Sequence, residues 1–591
     1  RLSHVHPEPV YDDFARQPLL PRQWSTQGPS VAWVDFDGDG QAECLMGCGR
    51  GGRLGAFTFL PGGIPKKLES SWAAPDDVLA FTASVTTAGR PCVIAAVSGY
   101  ASEGASRGGC VQITWDGGAA PLSVEPLAGA TLETLGGNPG VIAAGDGDGD
   151  GDLDLFVGGG VVPGKYPLAT PSRLLRREGA GYVVDQPGTE LLASTGLVSA
   201  AVWVDLEADG FAELVVVGEW GAPRILRNQR GAWSGWDPVV EGWPGSTGKA
   251  PLSRRTGWWT SVTAADWDAD GRLDLALGNW GLNTGYVAHE AAPLRLYHGA
   301  LGASGSYDLI ESYVDHRTKR EVPQRSLNAL GRAFPQLMGR FPNHRTYGEA
   351  SLAELLSVLP SPPARVEATT LESVILWNRA DGWHATALPP EVQWAPVYGL
   401  VAGDVDGDGH QDLFVGQGFY GMRQEWPRSD AGRGWWLRGD GHGGFEVMTG
   451  AASGVVLLGE QRGAALGDAD RDGVPDLVVA QNGTATALYK NRRAAGPGTR
   501  RVELLGPAGN PTGYGASVRT GTGGVWGARR ELRASGGYRS VDEPAWWVAP
   551  SEAATELWVL WPGGREQRIS LPREGRRIRV TAAGEVHVVA P

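Results

Sequence analysis

The sequence predicts an all-β fold: a β-propeller of seven blades, or eight on a second count, with a helical insertion and a small C-terminal β domain. Three observations predict it. One acidic nonamer occurs six times, at residues 35–43, 146–154, 205–213, 266–274, 404–412 and 468–476. Short apolar runs stand on either side of the copies. Val-Ala-Trp-Val (31–34), Ala-Val-Trp-Val (201–204) and Val-Thr-Ala-Ala (262–265) precede them; Leu-Val-Val-Val-Gly (214–218), Leu-Phe-Val-Gly (413–416) and Leu-Val-Val-Ala (477–480) follow. Runs of this length bounded by glycine read as buried strands. The copies also recur at intervals of 59, 61 and 64 residues, with two longer gaps of 111 and 138. A period of about 60 residues with four strands per unit is blade spacing.

Each nonamer is a hairpin tip built for a hard cation. Carboxylates stand at position 1 (Asp35, Asp146, Asp205, Asp266, Asp404, Asp468) and position 3 (Asp37, Asp148, Glu207, Asp268, Asp406, Asp470). They return at position 5 (Asp39, Asp150, Asp209, Asp270, Asp408, Asp472) and position 9 (Glu43, Asp154, Glu213, Asp274, Asp412, Asp476). Position 7 (Gln41, Asp152, Phe211, Arg272, His410, Val474) would give its backbone carbonyl. Oxygens at alternating positions can wrap a Ca²⁺, which takes 6–8 of them, and the glycine at position 6 permits the sharp turn. An EF-hand loop runs twelve residues between helices; these run nine between strands. The expected cofactor is therefore about six Ca²⁺ ions, structural in role. Glu43, Glu213 and Glu207 stand where the other loops have Asp. Their longer side chains are expected still to reach, in looser sites.

The blade count follows from the gaps. The 111-residue gap holds two units, and a ligand-free hairpin fits at Ala83 to Ala96. Leu294 to Tyr313 resembles another ligand-free hairpin and would make an eighth blade.

With these hairpins in view, the chain resembles the FG-GAP (VCBS-type) repeats of integrin-α-like β-propellers. Its tail carries Gly-Asn-Pro-Thr-Gly-Tyr-Gly-Ala-Ser-Val (509–518), Gly-Gly-Tyr-Arg-Ser (536–540) and Leu-Trp-Val-Leu-Trp-Pro-Gly-Gly (557–564). These resemble the ASPIC/UnbV domain that follows such propellers in cartilage-acidic-protein-like chains. The resemblance covers most of the chain and implies a secreted, repeat-built, calcium-binding protein. It implies little about activity, because one propeller architecture serves adhesion, scaffolding and enzyme accessory roles.

Composition agrees. The 591 residues include 89 Gly, 40 Pro and 24 Trp, as a turn-rich all-β protein would. The net charge of −14 gives no sign of nucleic-acid binding. Filling six sites with divalent ions would add +12 and leave about −2, so the acidity is largely ligand charge. No run of 18 apolar residues exists, so no transmembrane helix is expected. Exposed calcium loops bind at ~10⁻⁴–10⁻³ M, which suits the extracellular space, cell surface or periplasm. A first residue of Arg rather than Met fits a cleaved signal peptide. Four cysteines (Cys44, Cys48, Cys92, Cys110) lie in the first two blades, and such a compartment leads one to expect at least one disulfide, with the pairing open.

The expected boundaries are an N-terminal arm at 1–24, the propeller at 25–497 with an insertion at 282–397, and the tail domain at 498–591. The last blade is short of strands, so the arm around Pro9 to Phe14 is expected to supply its outer strand, in its own ring or a neighbour's. Ser351-Leu-Ala-Glu354 is a capping box and Ser326 to Phe334 a second helix start. Between His316 and Arg345 stand seven Lys/Arg against one acid, Glu321: a solvated cap, or a docking patch for an anionic partner or glycan.

Several motifs carry a dull and a sharp reading. Arg438-Gly439-Asp440 is an adhesion-type tripeptide or a coincidental turn. Asn482-Gly-Thr484 is a glycosylation sequon. The doublets Trp258–Trp259, Trp435–Trp436 and Trp546–Trp547 fill the space between blades or stack sugars. No zinc spacing, nucleophile elbow or phosphate loop is found, so no residue is nominated as catalytic. Three functions stay open: a calcium-stabilised binding, adhesion or surface-scaffold protein with a protein or polysaccharide partner; a self-assembling subunit of an oligomer or filament; and a glycan-active enzyme or accessory using the central channel.

Overall fold

A computed structural model describes residues 2–102, 108–118, 120–302, 305–493, 499–548, 554–572 and 574–589. Among them the propeller region forms seven sheets in chain order, antiparallel except for one parallel pair, Val239–Glu241 with Gly382–Ala387, in the fifth. The first runs Val31–Val34, Glu43–Met46, Gly55–Leu60 and Ile64–Lys67, each strand hydrogen-bonded to the next. The second is Val78–Val85, Pro91–Val97, Gly109–Thr114 and Ser123–Thr131, so the ligand-free hairpin at 83–96 belongs to a full sheet. The third (Pro139–Gly145 to Gly181–Val184), fourth (Leu197–Val204 to Ala232–Trp236) and sixth (Val397–Gly403 to Phe445–Met448) repeat the pattern. The first strands touch in the order of the sheets, and Glu460–Gly467 of the seventh touches Val31–Val34 of the first.

Burial follows from that arrangement. First strands are covered on both faces and read as near-continuous apolar runs; Val78–Val85 and Leu197–Val204 are buried throughout. Last strands face water, and Ile64–Lys67 is exposed at every residue. Tryptophan fills the gaps between sheets. Trp203 lies over Gly145 of the preceding sheet and Trp33 over Gly467, and a side chain at either glycine would overlap the ring. Trp258 and Trp259 are fully buried, and Trp258 stacks on Trp280 at 4.1 Å. Core packing is the role of this doublet.

The stretch 282–397 divides where one insertion was expected. Val374–Arg379 pairs with Asp274–Gly278, and Gly382–Ala387 pairs with Val374–Arg379, so both belong to the fifth sheet. Leu294–Ala300 and Tyr307–Val314 do pair, but in a separate sheet with Glu321–Pro323 and Ala364–Ala368. Four short helices follow the second of these hairpin strands, among them Leu327–Ala333 capped by Ser326, and Leu352–Leu356 with the Ser351/Glu354 capping box.

The arm also differs from expectation. The seventh sheet keeps three strands, ending at Ala487–Tyr489, and Pro9 to Phe14 adds none. Pro7 and Pro9 cannot donate to a ladder; instead Leu2 N bonds Thr486 O at 3.2 Å, Thr486 N bonds His4 O at 3.0 Å, and Asp13–Arg16 is a helical turn. The expected disulfide is absent: all four cysteines are buried and unbonded. Strand register sets Cys92 opposite Ser84 and Cys110 opposite Ala96, so neither faces another thiol.

The tail forms two sheets, one of Trp546–Val548, Arg500–Leu505, Arg577–Thr581 and Val586–Val589, the other built on Ser517–Thr522, Glu556–Trp561 and Arg565–Ser570.

Candidate metal centres

All six nonamers join the first strand of a sheet to the second, and their backbones agree closely. The position-6 glycines (Gly40, Gly151, Gly210, Gly271, Gly409, Gly473) have φ between +85° and +96°, where a side chain is strained. Position 4 is also left-handed, a feature the motif reading missed. Three loops use Gly there, while Ala208, Ala269 and Arg471 adopt φ of 58°, 57° and 60°.

The carboxylates hold the loops before any ion is considered. Asp35 accepts Gly38 N and Gly40 N, both at 2.8 Å; Asp404 accepts Gly407 N at 2.7 Å and Gly409 N at 3.1 Å. In the three loops with Gly at position 4, position 3 accepts the amide of position 5, as Asp148 does from Asp150 N at 3.2 Å; in the loops of Asp205 and Asp468 position 1 accepts it instead. Position 5 accepts that of position 7, as Asp270 does from Arg272 N at 2.7 Å.

Position 9 separates two classes. In the four loops with Asp there, one oxygen accepts the position-2 amide and the other an amide of the sheet's third strand. Asp412 takes Val405 N at 3.1 Å and Gly439 N at 3.0 Å; Asp476 takes Ala469 N at 3.1 Å and Asn491 N at 2.8 Å. Glu43 and Glu213 accept the position-2 amides of Phe36 and Leu206.

Convergence follows the same division. Carboxylate oxygens of positions 1, 3 and 9 lie within 4.8 Å of one another in the loops of Asp146, Asp266, Asp404 and Asp468. In the first loop Asp35, Asp37 and Asp39 converge without Glu43. The third loop, Asp205 to Glu213, gives no such group among the described residues.

Packing acids this tightly in a buried turn is unfavourable unless something positive joins them. Burial pushes Asp35, Asp146 and Asp266 up to about 6, and Asp154, Asp412 and Asp476 up to about 8. Asp266 Oδ1, Asp268 Oδ1 and Asp470 Oδ1 are buried with no hydrogen-bond partner. Orphaned anionic oxygens converging on one point are the donor set of a hard divalent cation. The five converging loops fit a cation such as Ca²⁺: positions 1, 3 and 9 would offer carboxylates in four of them and positions 1, 3 and 5 in the first, position 7 could add a carbonyl, and the ion would neutralise the acids and pin the turn.

Two supporting sets escaped the motif reading. Third strands carry a basic residue against the loop: Arg379 Nε lies 2.8 Å from Asp268, Arg438 Nε 2.7 Å from Asp406, and Lys490 Nζ 3.5 Å from Asp470. The same strands carry an asparagine that ties loops together. Asn228 Nδ2 donates to Gly147 O of the neighbouring loop at 3.0 Å and to Ala212 O at 3.1 Å; Asn491 Nδ2 donates to Val405 O at 2.8 Å. The signal for both lay in the repeated third-strand runs Leu-Arg-Asn, Leu-Trp-Asn and Leu-Tyr-Lys-Asn.

The tail domain covers the loops. Arg577 lies against Gly40, and Gly509 against Asp152. Gly563 N bonds Gly210 O at 2.9 Å, Arg529 N bonds Asp266 at 2.7 Å, and Asp468 N bonds Glu543 at 2.6 Å. Arg530 Nη2 stands 3.4 Å from Asp404, so every loop has a tail contact. From this face, residues 534–543 enter the space between the first strands. Ala83 N bonds Ala534 O at 2.9 Å, Phe81 N bonds Arg539 O at 3.1 Å, Trp33 N bonds Val541 O at 3.0 Å, and Leu466 N bonds Asp542 at 2.8 Å. Arg539 Nε reaches Ser199 O at 3.0 Å, and Tyr538 Oη bonds Gln27 O at 2.6 Å near the arm. The central channel, where an enzyme site was weighed, is filled by this segment.

The remaining motifs resolve locally. Arg438 of the Arg-Gly-Asp tripeptide pairs with Asp406 and Asp408, and Asp440 accepts His442 N and Gly444 N in a turn. Asn482 of the sequon is buried near Glu460. Trp436 packs on Phe414 at 5.5 Å, and Trp435 on Trp394 at 5.7 Å. Arg325 of the basic stretch turns inward to Glu311 at 2.9 Å.

Comparison with known proteins agrees with the repeats and the tail. The FG-GAP-like repeat matches residues 205–277, the FG-GAP repeat 397–435, and the ASPIC and UnbV family 506–586. A search of curated proteins returns no match. Among solved structures, a rhamnogalacturonan lyase of Bacillus licheniformis aligns at 13% identity over 67% of this chain, with a TM-score of 0.26. The chain spans 60% of that enzyme's length, and so weak a likeness carries no functional argument. No described helix is long and apolar enough to cross a membrane. The chain carries FG-GAP repeats followed by an ASPIC and UnbV domain.

Proposed function

We propose that this chain is a calcium-stabilised, seven-bladed β-propeller that works outside the cytoplasm as a binding, adhesion or surface-scaffold module, with a protein or polysaccharide partner. One observation carries the reading: the acidic loops converge as cation cages and lie beneath the tail domain. Ions held there would be structural, joining propeller to tail, and recognition would fall to the remaining surface. Low-affinity loops of this kind fill only where calcium is plentiful, which supports the extracellular space, cell surface or periplasm.

Self-assembly is the second reading. It draws on the seventh sheet, which has three strands where the first, second, third and sixth have four. Sheets can gain strands from another chain at their edges.

One sample tests both. Thermal melting is followed with calcium and with excess chelator, and native mass is taken by light scattering in each. A melting temperature several degrees higher in calcium, with a mass near 62.4 kDa, supports the monomeric binding module. A calcium-dependent larger mass favours assembly, and an unchanged melt would sink the calcium reading.

A further inference from the structure

We propose that the third loop, Asp205–Glu213, is not a calcium site but an arginine socket that fastens the tail domain to the propeller. The proposal takes the calcium reading of the other five loops as its contrast.

The third loop has the nonamer sequence and the same turn, but its carboxylates are already engaged. Glu207, at position 3, is gripped through both oxygens by Arg227 of the third strand, via Nε and Nη2. Asp205, at position 1, faces Arg529 of the tail. Arg529 Nη2 lies 2.6 Å from Asp205 Oδ2 and Nη1 donates to Asp205 O at 2.9 Å. Glu531 of the tail accepts Asp205 N at 3.0 Å, and Ser517 Oγ accepts Arg529 Nε at 2.9 Å. The Arg529 side chain is 1% exposed and that of Asp205 2%. A guanidinium bonded to both a carboxylate and a carbonyl of one residue is a directional, desolvated contact.

The neighbouring fourth loop shows what distinguishes a socket from a cage. It too has a third-strand arginine, Arg379, but that side chain takes one oxygen of Asp268 and leaves the other buried without a partner. Asp266, Asp268 and Asp274 still converge. In the third loop the extra methylene of Glu207 carries its carboxylate out to Arg227. Glu213 Oε1 is left without a partner, but the carboxylates of Asp205 and Glu207 do not converge with it as positions 1 and 3 do with position 9 in the four Asp loops. An ion placed there would also have to displace Arg529 from a buried position, leaving an uncompensated guanidinium.

The consequence is a division of labour. Five loops close on calcium, and the third holds the tail in its absence. Hydrogen exchange by mass spectrometry on the full chain, with saturating calcium and with chelator, tests this loop by loop. Peptides covering the five converging loops should gain protection with calcium, while the peptide covering 205–213 should not. Equal gain at 205–213 overturns the proposal. Should no loop respond, the calcium reading of the other five fails, and the socket is decided by variants in chelator. Arg529→Ala and the milder Arg227→Ala should each raise exchange at 205–213 by about tenfold and leave the Asp146 loop unchanged. Arg529→Lys should fall between, because an ammonium cannot span carboxylate and carbonyl as the fork does. Unaltered exchange at 205–213 in both alanine variants overturns the proposal.

Discussion

The two ends of the central channel are both covered, one by the tail and one by the arm and insertion, and the covers differ in kind. At the arm end buried acids are met by donors within the protein. Asp13 accepts Trp24 N at 3.0 Å, Ser25 Oγ at 2.6 Å and Tyr100 Oη at 2.7 Å. Arg22 pairs with Glu219, which also accepts Tyr166 Oη at 2.9 Å, and Arg325 pairs with Glu311. Aromatic rings fill the rest, Trp258 on Trp280 and Tyr286 on Trp426 at 5.0 Å. At the loop end carboxylates converge on carboxylates, and several buried oxygens lack a partner. The arm end sets charges of opposite sign together; the loop end gathers carboxylates that a cation would complete.

Removing calcium should therefore loosen one end only, and this is the largest effect expected. A site occupied at ten times its dissociation constant contributes about 1.4 kcal/mol, so five together shift the melt by several degrees. Below the melt in chelator, near-ultraviolet circular dichroism from the Trp258–Trp280 stack should persist. Its collapse would show that the two ends are one cooperative unit.

The channel segment joins the two ends, and Gly537 is its tightest point. Its φ is +56°, and a methyl group there would overlap the Leu400 carbonyl. Gly537→Ala should cost roughly 2–4 kcal/mol, from left-handed strain plus the displaced contact. A melt within a degree of the parent would mean that the tail is not seated in the channel in solution.

What the sequence made legible was local. Nonamer, flanking strands and blade period were visible because each is a short pattern, and the seven sheets and the five converging acidic loops follow from them. The socket proposed at the third loop has no signature in the motif, because Arg529 stands 324 residues from Asp205, and no spacing rule reaches that far. The arm was misplaced because a strand shortage in the last sheet looked like a vacancy, whereas two prolines turn that segment elsewhere. The division of the insertion was hidden for a related reason. Val374–Arg379 pairs with a strand about a hundred residues earlier, and loop closure over that distance leaves no local signature.

A smaller effect tests the arm end by pH. Asp308 is buried between arm and insertion, accepting Leu19 N at 3.2 Å and Leu309 N at 3.0 Å. Burial pushes it up to about 7. An acid with a raised folded-state value keeps its proton where the unfolded chain has lost it. Its contribution is then favourable at low pH and declines as pH rises from about 4 through 7. Asp308→Asn should remove that decline, a change of roughly 2–3 kcal/mol between pH 5 and pH 7.5. Melts in chelator at pH 5 and pH 7.5 check it; parallel losses in parent and variant would place the titration elsewhere.

The smallest effect sharpens the account of the loop end, because it concerns scaffolding rather than ligands. Asn378 is buried in the third strand of the fifth sheet, where its amide NH₂ donates to Leu206 O of the adjacent loop at 2.8 Å and to Leu273 O at 3.4 Å. Its backbone N meets Asp274 at 2.8 Å, a bond any residue could make. Asn378→Ala thus leaves the position-9 contact in place and strips two carbonyls of their donor, at a cost of about 1–2 kcal/mol. If the asparagines align the loops for cation binding, calcium affinity by titration calorimetry should fall several-fold in this variant. Parent affinity with the same loss of stability would make Asn378 a strut between sheets and nothing more.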